Sequence, residues 1–374
     1  MKTEFKLTTL FHIPISINWS WFIVFGLITF SLAKGTFPAT NPELDGYNHW
    51  LMAFIAALLF FASLLAHELA HSLVAIKNKL PINGITLFIF GGIAHLNKEP
   101  ATPRVEFFMA LAGPLMSFSL AIIFYTLSHL LRSWHLPNAA ITIVDYLFFL
   151  NLGVGIFNLI PGFPLDGGRV LRALLWHFIH DLRKATEIAS SLGKGFAYLL
   201  IGFGLFNLLN NSLLQGIWLI FIGLFLQEAA DSSYRQVLFK RFLSGTKVAD
   251  YLTRDVKTVP ADINLNDLVD HYFFKHRHAA FPVVEDDQIL GLVSLHDIKI
   301  VPKEKWATTQ AKELVIPLQP EMVINERADV LTALPKLAAS PVGRLLVIDK
   351  NKLIGILSQR DIMRVFEFKT EIGE

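Results

Sequence analysis

The chain has 374 residues, of which 53% are hydrophobic and only 17% are charged. Soluble domains carry about 25% charged residues, so this composition predicts a multi-span membrane protein. A formal net charge of +2 is too small to indicate a nucleic-acid partner. The absence of cysteine excludes disulfides and thiolate metal sites, so any metal ion must be bound by histidine and carboxylate side chains.

Six apolar stretches are each close to the ~20 residues that a helix needs to cross a bilayer. These predicted spans lie at about 14–34, 50–76, 105–131, 140–161, 188–209 and 213–230. A shorter apolar stretch at 82–96 contains Gly91 and Gly92 between β-branched and aromatic residues, which is typical of a β-hairpin. Because an open strand pair cannot face lipid, the hairpin is expected to pack on protein or to line a wet cavity.

Basic residues are concentrated on one side of the predicted spans. Lys77, Arg104 and Arg235 lie on that side, whereas the opposite side has Lys34 and Arg132. The positive-inside rule therefore predicts a multi-pass cell-membrane protein whose N- and C-termini are both cytoplasmic. In this orientation the second span runs inward, and its C-terminal end lies in the cytoplasmic half of the membrane.

The second span ends in the sequence HELAH at residues 67–71, after an uncharged stretch at 51–66. Two histidines four positions apart, His67 and His71, lie on one face of a helix, where both can bind the same Zn²⁺. Glu68 between them would then act as the general base that activates water. Because ionisable groups are costly inside a bilayer, this motif predicts a functional metal site.

A catalytic zinc ion usually has three protein ligands, so a third ligand must come from elsewhere in the chain. The best candidate is Asp166, in the stretch NLIPGFPLDGGR at residues 158–169, which ends the fourth span. That span also runs inward, which brings Asp166 to a depth similar to that of His71. The alternative is that Asp166 is a helix-capping or loop carboxylate before Arg169.

An internal repeat begins after about residue 245, where charge rises and the apolar runs shorten. The sequence GLVSLHD at 291–297 aligns with GILSQRD at 355–361, and 281–284 aligns with 345–348 at the same offset. Each unit reads as alternating strands and helices, so two tandem units predict a soluble α/β module. The predicted parts are a membrane domain at 1–235, a linker at 236–246, and two repeat domains at 247–303 and 304–374.

HELAH in one span and NLIPGFPLDGG at the end of a later span together resemble the site-2 protease family. Members of that family are intramembrane zinc metalloproteases of the peptidase M50 type, and the resemblance covers roughly residues 10–230. It implies that His67, His71 and Asp166 bind one catalytic Zn²⁺ and that Glu68 activates water.

The same resemblance implies residues that contact the substrate. In that family the asparagine of the second motif is implicated in substrate or oxyanion contact, which implies this role for Asn158. The hairpin glycines Gly91 and Gly92 are implied to belong to the same substrate region. Asn158 could instead satisfy backbone groups that Pro161 leaves without a helical partner.

The C-terminal repeat resembles a tandem pair of cystathionine-β-synthase (CBS) domains, because the signature Gly-apolar-apolar-Ser/Thr-x-x-Asp appears twice. The resemblance implies an adenine nucleotide (ATP, ADP or AMP), with the hydroxyl on phosphate and the aspartate on ribose. The corresponding residues are Ser294, Asp297, Ser358 and Asp361. The two aspartates could also be plain turn or N-cap residues. Because CBS pairs often dimerise, a homodimer through the pair is a further implied partner.

The expected fold is a polytopic α-helical membrane protein with about six transmembrane helices and a membrane-associated β-hairpin, followed by a soluble α/β tandem CBS module. This order is similar to that of the site-2 protease subgroup with a C-terminal CBS pair, which includes sporulation-type proteases. The implied function is zinc-dependent intramembrane cleavage of transmembrane protein substrates in the lipid bilayer, that is, regulated intramembrane proteolysis. The CBS pair would sense adenine nucleotide.

Two other functions stay open at this point. One is a membrane transporter or channel gated by the CBS pair, with the histidines in an ion path. It would need conducting polar residues on several spans, whereas the intramembrane polar residues are concentrated in two motifs. The other is a catalytically inactive membrane scaffold, against which the intact HELAH and LDG sequences argue.

Overall fold

The structure is a computed structural model that describes residues 4–89, 91–96, 100–286, 288–349 and 352–371. The chain divides into two compact units, Met1–Val237 and Leu238–Glu374. The first unit is mainly helical, and the second combines short strands with helices. Each has buried apolar clusters of its own.

Long apolar helices dominate the first unit. Within the described residues, six helical stretches are long and apolar enough to cross a membrane, and they are Trp19–Thr40, Gly46–Lys77, Pro103–Ser133, Asn138–Asn158, Leu182–Leu209 and Leu213–Leu243. The number and order of the predicted spans are confirmed, so the chain is a multi-pass membrane protein. The α-helices of this unit are α1 (Trp19–Ser31), α2 (Phe37–Thr40), α3 (Gly46–Lys77), α4 (Pro103–Ser133), α5 (Asn138–Asn158), α6 (Asp166–Ile179), α7 (Leu182–Leu209) and α8 (Leu213–Leu243).

A four-stranded sheet accompanies these helices. Its strands are β1 (Glu4–Leu10), β2 (Ile13–Asn18), β3 (Ile82–Phe88) and β4 (Gly91–Leu96), in the order β1-β2-β3-β4. The pairs β1–β2 and β3–β4 are antiparallel, whereas β2–β3 is parallel. The predicted hairpin is confirmed, but Gly91 and Gly92 begin β4 instead of forming the turn. Gly91 has a φ of 122°, a conformation that favours glycine.

The predicted start of the first span, at residue 14, is wrong. Residues 13–18 form β2, and the helix begins only at Trp19. The side chains of Ile13, Ile15 and Ile17 are buried while the residues between them are half-buried, which is the period of two that a strand shows. This stretch is apolar because one of its faces is covered by protein.

Helix α4 lies at the centre of the helical packing, in contact with α3, α5 and α6. One buried cluster joins α2, α3 and α5 through Phe37, Met52 and Leu147. The outer faces of the long helices stay apolar, and Phe206 on α7, for example, is 63% exposed. Large exposed apolar side chains along a helix are expected where the helix faces lipid.

Helices α7 and α8 approach each other closely through small residues. A Cβ atom on Gly216 of α8 would lie 2.7 Å from the backbone oxygen of Gly204 on α7. An ion pair between Lys194 Nζ and Asp231 Oδ1, 2.9 Å apart, joins the same two helices. Small residues at such crossings are a common way in which membrane helices associate.

The second unit contains the two expected α/β repeats. One sheet has the order β5-β6-β7-β8 and the other has the order β11-β10-β9. Strand β8 belongs to the second repeat by sequence but pairs with β7 of the first. In both repeats the central strand pairs in parallel with a short strand and antiparallel with the next one. The elements are β5 (Val259–Pro260), α9 (Leu265–Leu268), β6 (Ala280–Glu285), β7 (Gln288–Ser294), α10 (Leu295–Ile298), β8 (Ile316–Pro317), β9 (Val323–Ile324), α11 (Val330–Ala339), β10 (Arg344–Asp349), β11 (Lys352–Ser358) and α12 (Gln359–Glu371).

The boundary between the units falls within a helix. The division lies between Val237 and Leu238, close to the expected end of the membrane domain at residue 235. Helix α8 continues to Leu243. Most of the segment 236–246, where a linker is expected, is therefore helical.

Candidate metal centre

Three side-chain donor atoms from two helices converge in the first unit. His67 Nε2 and His71 Nε2 lie 3.2 Å apart. Asp166 Oδ2 lies 3.0 Å from the first and 3.1 Å from the second. The two histidines share a face of α3 because they are four residues apart, and Asp166 is the first residue of α6. The three side chains that the sequence singles out as ligands are thus brought together in space.

Each imidazole is held through its other nitrogen. His67 Nδ1 lies 2.8 Å from Ser117 Oγ, and His71 Nδ1 lies 2.6 Å from the backbone carbonyl oxygen of Met109. A carbonyl oxygen only accepts, so His71 Nδ1 is the donor, and Nε2 of the neutral ring keeps its lone pair toward Asp166. Contacts of this kind orient metal-binding histidines in proteins.

The geometry of the three donor atoms fits a small divalent cation. Bonds of about 2.0 Å in a tetrahedral site put neighbouring ligand atoms ~3.3 Å apart, close to the 3.0, 3.1 and 3.2 Å between the donor atoms here. Without a cation, lone pairs would face one another in a buried place, since His67 and His71 are only 4% and 6% exposed. Two imidazoles and a carboxylate, with no thiolate, suit Zn²⁺.

Gly113 of α4 provides the space beside the donor atoms. A Cβ atom built on Gly113 would overlap the Nε2 atoms of both His67 and His71. Any side chain at this position would therefore fill the volume that the donor atoms share. The requirement for glycine here comes from this close approach and not from the backbone conformation, which is helical.

Glu68 lies beside the cluster, on the wall of a cavity of about 920 Å³. Within the described residues, no hydrogen bond or ion pair engages its carboxylate. Gly92 at the start of β4 packs directly against it, since a Cβ atom on Gly92 would lie 2.5 Å from Glu68 Cγ. The carboxylate is therefore free to act on a molecule in the cavity.

The walls of this cavity are mostly apolar. The side chains of the two histidines and Asp166 line it, and so do residues 91–94 of β4. Phe149 of α5 and Trp218 and Phe225 of α8 are among the aromatic side chains that line it. A cavity of this size is large enough for a short peptide segment.

Asn158, the last residue of α5, lines the same cavity. Its Nδ2 donates a hydrogen bond to the backbone oxygen of Val154 at 3.0 Å. The residue lines the cavity, as a substrate contact requires. Its hydrogen bond goes to Val154 O and not to the oxygen of Phe157, which is the carbonyl that Pro161 leaves without an α-helical donor.

The segment between α5 and α6 is anchored to α7, and this holds Asp166 in place. The backbone nitrogen of Phe163 donates a hydrogen bond to the oxygen of Ala189 at 3.1 Å. Gly193, one turn further along α7, approaches Phe163 so closely that a Cβ atom would overlap its backbone. The N-cap of α6 is Leu165, and the Asp166 carboxylate turns to the histidines, so a capping carboxylate does not describe this geometry.

Several supporting contacts were not predicted from the sequence. Ser117, Met109 and Gly113 all lie on α4, as does the buried Glu106, whose Oε1 accepts a hydrogen bond from Arg172 Nε at 2.7 Å. Spacings of three or four residues put all four positions on one face of α4. In the sequence, this spacing and the lone glutamate next to an apolar span are the features that indicate a supporting face on α4.

The serine and aspartate of each CBS signature form the same local structure. Ser358 N and Oγ donate to Asp361 Oδ2 at 2.8 and 2.6 Å, and Asp361 N donates to Ser358 Oγ at 3.3 Å. Ser294 and Asp297 make the same three contacts at 3.1, 2.5 and 3.4 Å. This reciprocal arrangement is a capping box at the start of a helix. The two serines are thus N-cap residues and the two aspartates are the N3 residues of the boxes, and a nucleotide contact is an additional proposal.

Both units match known protein families. Peptidase family M50 matches residues 55–139 and 133–202, which include HELAH and Asp166. The CBS domain matches residues 248–303 and 311–367, one match for each repeat. The fold and the buried cluster define a polytopic membrane protein with a candidate metal centre and a CBS pair, and the matches agree with both parts.

Similarity to individual proteins extends over the whole chain. The chain is 34% identical to the Synechocystis sp. protein sll0528, whose name assigns it provisionally to the zinc metalloproteases, over 98% of this chain and 96% of that one. It is 30% identical to the zinc metalloprotease MJ0392 of Methanocaldococcus jannaschii over 100% of both chains. A solved site-2 protease from Methanocaldococcus jannaschii is 31% identical, covering 62% of this chain and 95% of that chain with a TM-score of 0.43. The chain belongs to peptidase family M50, among the zinc metalloproteases, and it carries a tandem CBS pair.

Replacement of Gly113 by alanine should remove bound zinc, because the added Cβ atom would overlap the Nε2 atoms of His67 and His71. We expect the zinc content of the purified protein, measured by mass spectrometry, to fall roughly tenfold or more. The matched control is Gly195→Ala on α7, where the added Cβ atom has no neighbour within 4 Å. Wild-type zinc content in the Gly113→Ala protein would contradict the fit of the cluster to a metal ion.

Proposed function

We propose that this protein is a zinc-dependent intramembrane endopeptidase that hydrolyses peptide bonds in or near transmembrane segments. The observation that carries the proposal is the convergence of His67, His71 and Asp166 beside Glu68, whose carboxylate has no hydrogen bond or ion pair among the described residues. These four side chains line a cavity that is also lined by β4 and by apolar helices long enough to cross a membrane. Membership in a zinc metalloprotease family supports the same reaction.

Different residues of the chain have different roles in this reaction. When bound, Zn²⁺ would be held by His67, His71 and Asp166, and it lowers the pKa of water and polarises a carbonyl group. Glu68 takes a proton from the attacking water and passes it to the leaving amine nitrogen. The apolar walls exclude bulk water, which strengthens each of these interactions.

Glu68→Gln should leave zinc bound and stop cleavage, because glutamine is nearly the same size but cannot accept the proton. We expect cleavage of a model transmembrane substrate to fall about 100- to 10,000-fold, with zinc content unchanged. Glu187→Gln, at an exposed position of α7, is the matched control. Substantial cleavage by Glu68→Gln would defeat the hydrolytic assignment and leave a transporter or a scaffold as the function.

The substrate would have to be extended in order to be cut. Peptide bonds inside a helix are shielded by their own hydrogen bonds. Strand β4 lies at the edge of its sheet, lines the cavity, and begins against Glu68 at Gly92. We infer that an unwound substrate segment adds to β4 as a further strand, in the cavity that Asn158 also lines.

Disulfide crosslinking tests this mode of binding, because the natural chain has no cysteine. A cysteine replaces Ala94 of β4 in the Glu68→Gln protein, and single cysteines are placed in turn along the substrate. An extended substrate should crosslink at every second position. Crosslinks at every third or fourth position would instead indicate a helix. A cysteine at Thr9 of β1, the other edge of the sheet, is the control that should give no crosslinks.

The CBS pair supports a second part of the proposal, regulation by adenine nucleotide. With both termini on the Lys- and Arg-rich side of the membrane, the pair would face the cytoplasmic nucleotide pool. The two repeats have the same backbone but different residues beside their signatures. Arg344 begins β10 opposite Ser358, whereas Ala280 begins β6 opposite Ser294.

The surroundings of Asp361 are more polar than those of Asp297. Thr253 Oγ1 lies 3.5 Å from Asp361 Oδ1. Burial lowers the pKa of His278, and the positive charge of Arg344 lowers that pKa further. The side chains of His278 and Arg344 therefore lie close together. The repeat equivalents of Thr253 and His278 are Pro317 and Val342, whose side chains offer no donor to a phosphate. We infer that the nucleotide binds on the Asp361 side.

Isothermal titration of ATP, ADP and AMP into the purified full chain tests this inference. Asp361→Asn should weaken nucleotide binding roughly tenfold or more, the usual loss when a hydrogen bond to a charged group is removed. Asp297→Asn is the matched control, because it disturbs the same capping box in the other repeat and should leave affinity nearly unchanged. Equal losses would contradict the choice of side, and no binding at millimolar nucleotide would contradict regulation by nucleotide.

A further inference from the structure

A buried ion pair joins α4 to α6 close to the candidate metal centre. Glu106 of α4 is 1% exposed and Arg172 of α6 is 7% exposed. Arg172 Nε donates a hydrogen bond to Glu106 Oε1 at 2.7 Å, and Arg172 Nη2 contacts the same oxygen. A buried ion pair adds little net stability compared with well-packed apolar side chains, because both charges lose their water. Its presence therefore calls for a role other than stability.

Glu106 belongs to the face of α4 that supports the cluster. Met109, Gly113 and Ser117 follow it at spacings of three and four residues, so all four lie on one side of the helix. Met109 holds His71 through its carbonyl oxygen, Ser117 contacts His67, and Gly113 leaves the space between them. Glu106 continues this row by one turn, but its partner lies on α6.

Arg172 is connected to the chain both before and after Asp166. It lies on α6, the helix that begins with Asp166, and its guanidinium carbon is 5.0 Å from the ring centroid of Phe163. Phe163 belongs to the segment that leads into Asp166. The Arg172 side chain therefore connects α4 to the helix after Asp166 and to the loop before it.

We propose that Glu106 and Arg172 form a positioning pair that sets Asp166 against His67 and His71. The two histidines come from α3, so their separation is fixed within one helix, whereas the third donor arrives on a separate element. A functional group must be held within about 0.5 Å of its working position. The Glu106–Arg172 pair gives α6 this register, because the planar guanidinium has a fixed geometry toward the carboxylate. This role rests on the proposed zinc function.

The test measures zinc affinity of the purified full chain by competition with a chromophoric chelator, together with the unfolding temperature of the metal-free protein. Glu106→Gln and Arg172→Lys should each weaken zinc binding by about 10- to 100-fold, the usual effect of losing an outer contact of a metal site. Asp145→Asn is the matched control, because it removes one charge of a second ion pair that involves α4, between Arg132 of α4 and Asp145 of α5, away from the cluster. It should leave zinc affinity unchanged.

A double variant, Glu106→Leu with Arg172→Leu, separates positioning from stability. Apolar replacement of both partners should keep the unfolding temperature of the metal-free protein near that of the wild type, while zinc affinity stays low. Zinc affinity within twofold of wild type in any folded variant of the pair would overturn the proposal. So would failure of all three variants to fold while Asp145→Asn folds, since the pair would then serve the fold alone. A wild-type protein that binds no zinc would instead refute the proposed function.

Discussion

The meeting of three lone-pair donors inside an apolar helical bundle is the constraint on which the first unit depends. His67 and His71 are spaced by α3 itself, but Asp166 arrives from an element much later in the chain. Polar atoms buried in this way are costly unless a cation and outer hydrogen bonds balance them. The face of α4 supplies those bonds through Met109 and Ser117, which explains why this helix lies at the centre of the packing.

Features that are determined within a few residues could be predicted from the sequence. The HELAH spacing puts His67 and His71 on one face of any helix, and apolar length alone identified the six helices. The contacts of Ser117 and Glu106 could not be predicted, because they join helices that are distant in sequence and periodicity does not name a partner. Hydropathy alone places strand β2 in a membrane span, since it does not distinguish a covered strand from the start of a membrane helix.

The two repeats of the second unit share a fold but differ in the side chains that could contact a ligand. Strand pairing, the register shift after Val283 and Val347, and the capping boxes occur in both halves. Those features satisfy the backbone, so both copies need them. The residues that open the central strands, Ala280 and Arg344, differ between the halves, and the Arg344 side chain donates a hydrogen bond to the backbone oxygen of Ala280 at 3.1 Å. Two repeats with the same fold therefore need not bind the same ligand.

The edge position of β4 has a consequence for how the protein would choose its targets. On the proposed mode of binding, hydrogen bonds to the strand backbone replace part of those that a target helix loses on unwinding. Backbone hydrogen bonds are the same for every sequence, so they do not distinguish one target from another. What differs is the ease with which each helix unwinds, which depends on its glycine, proline and β-branched content. Selection would then follow the local weakness of a helix more than its side-chain pattern.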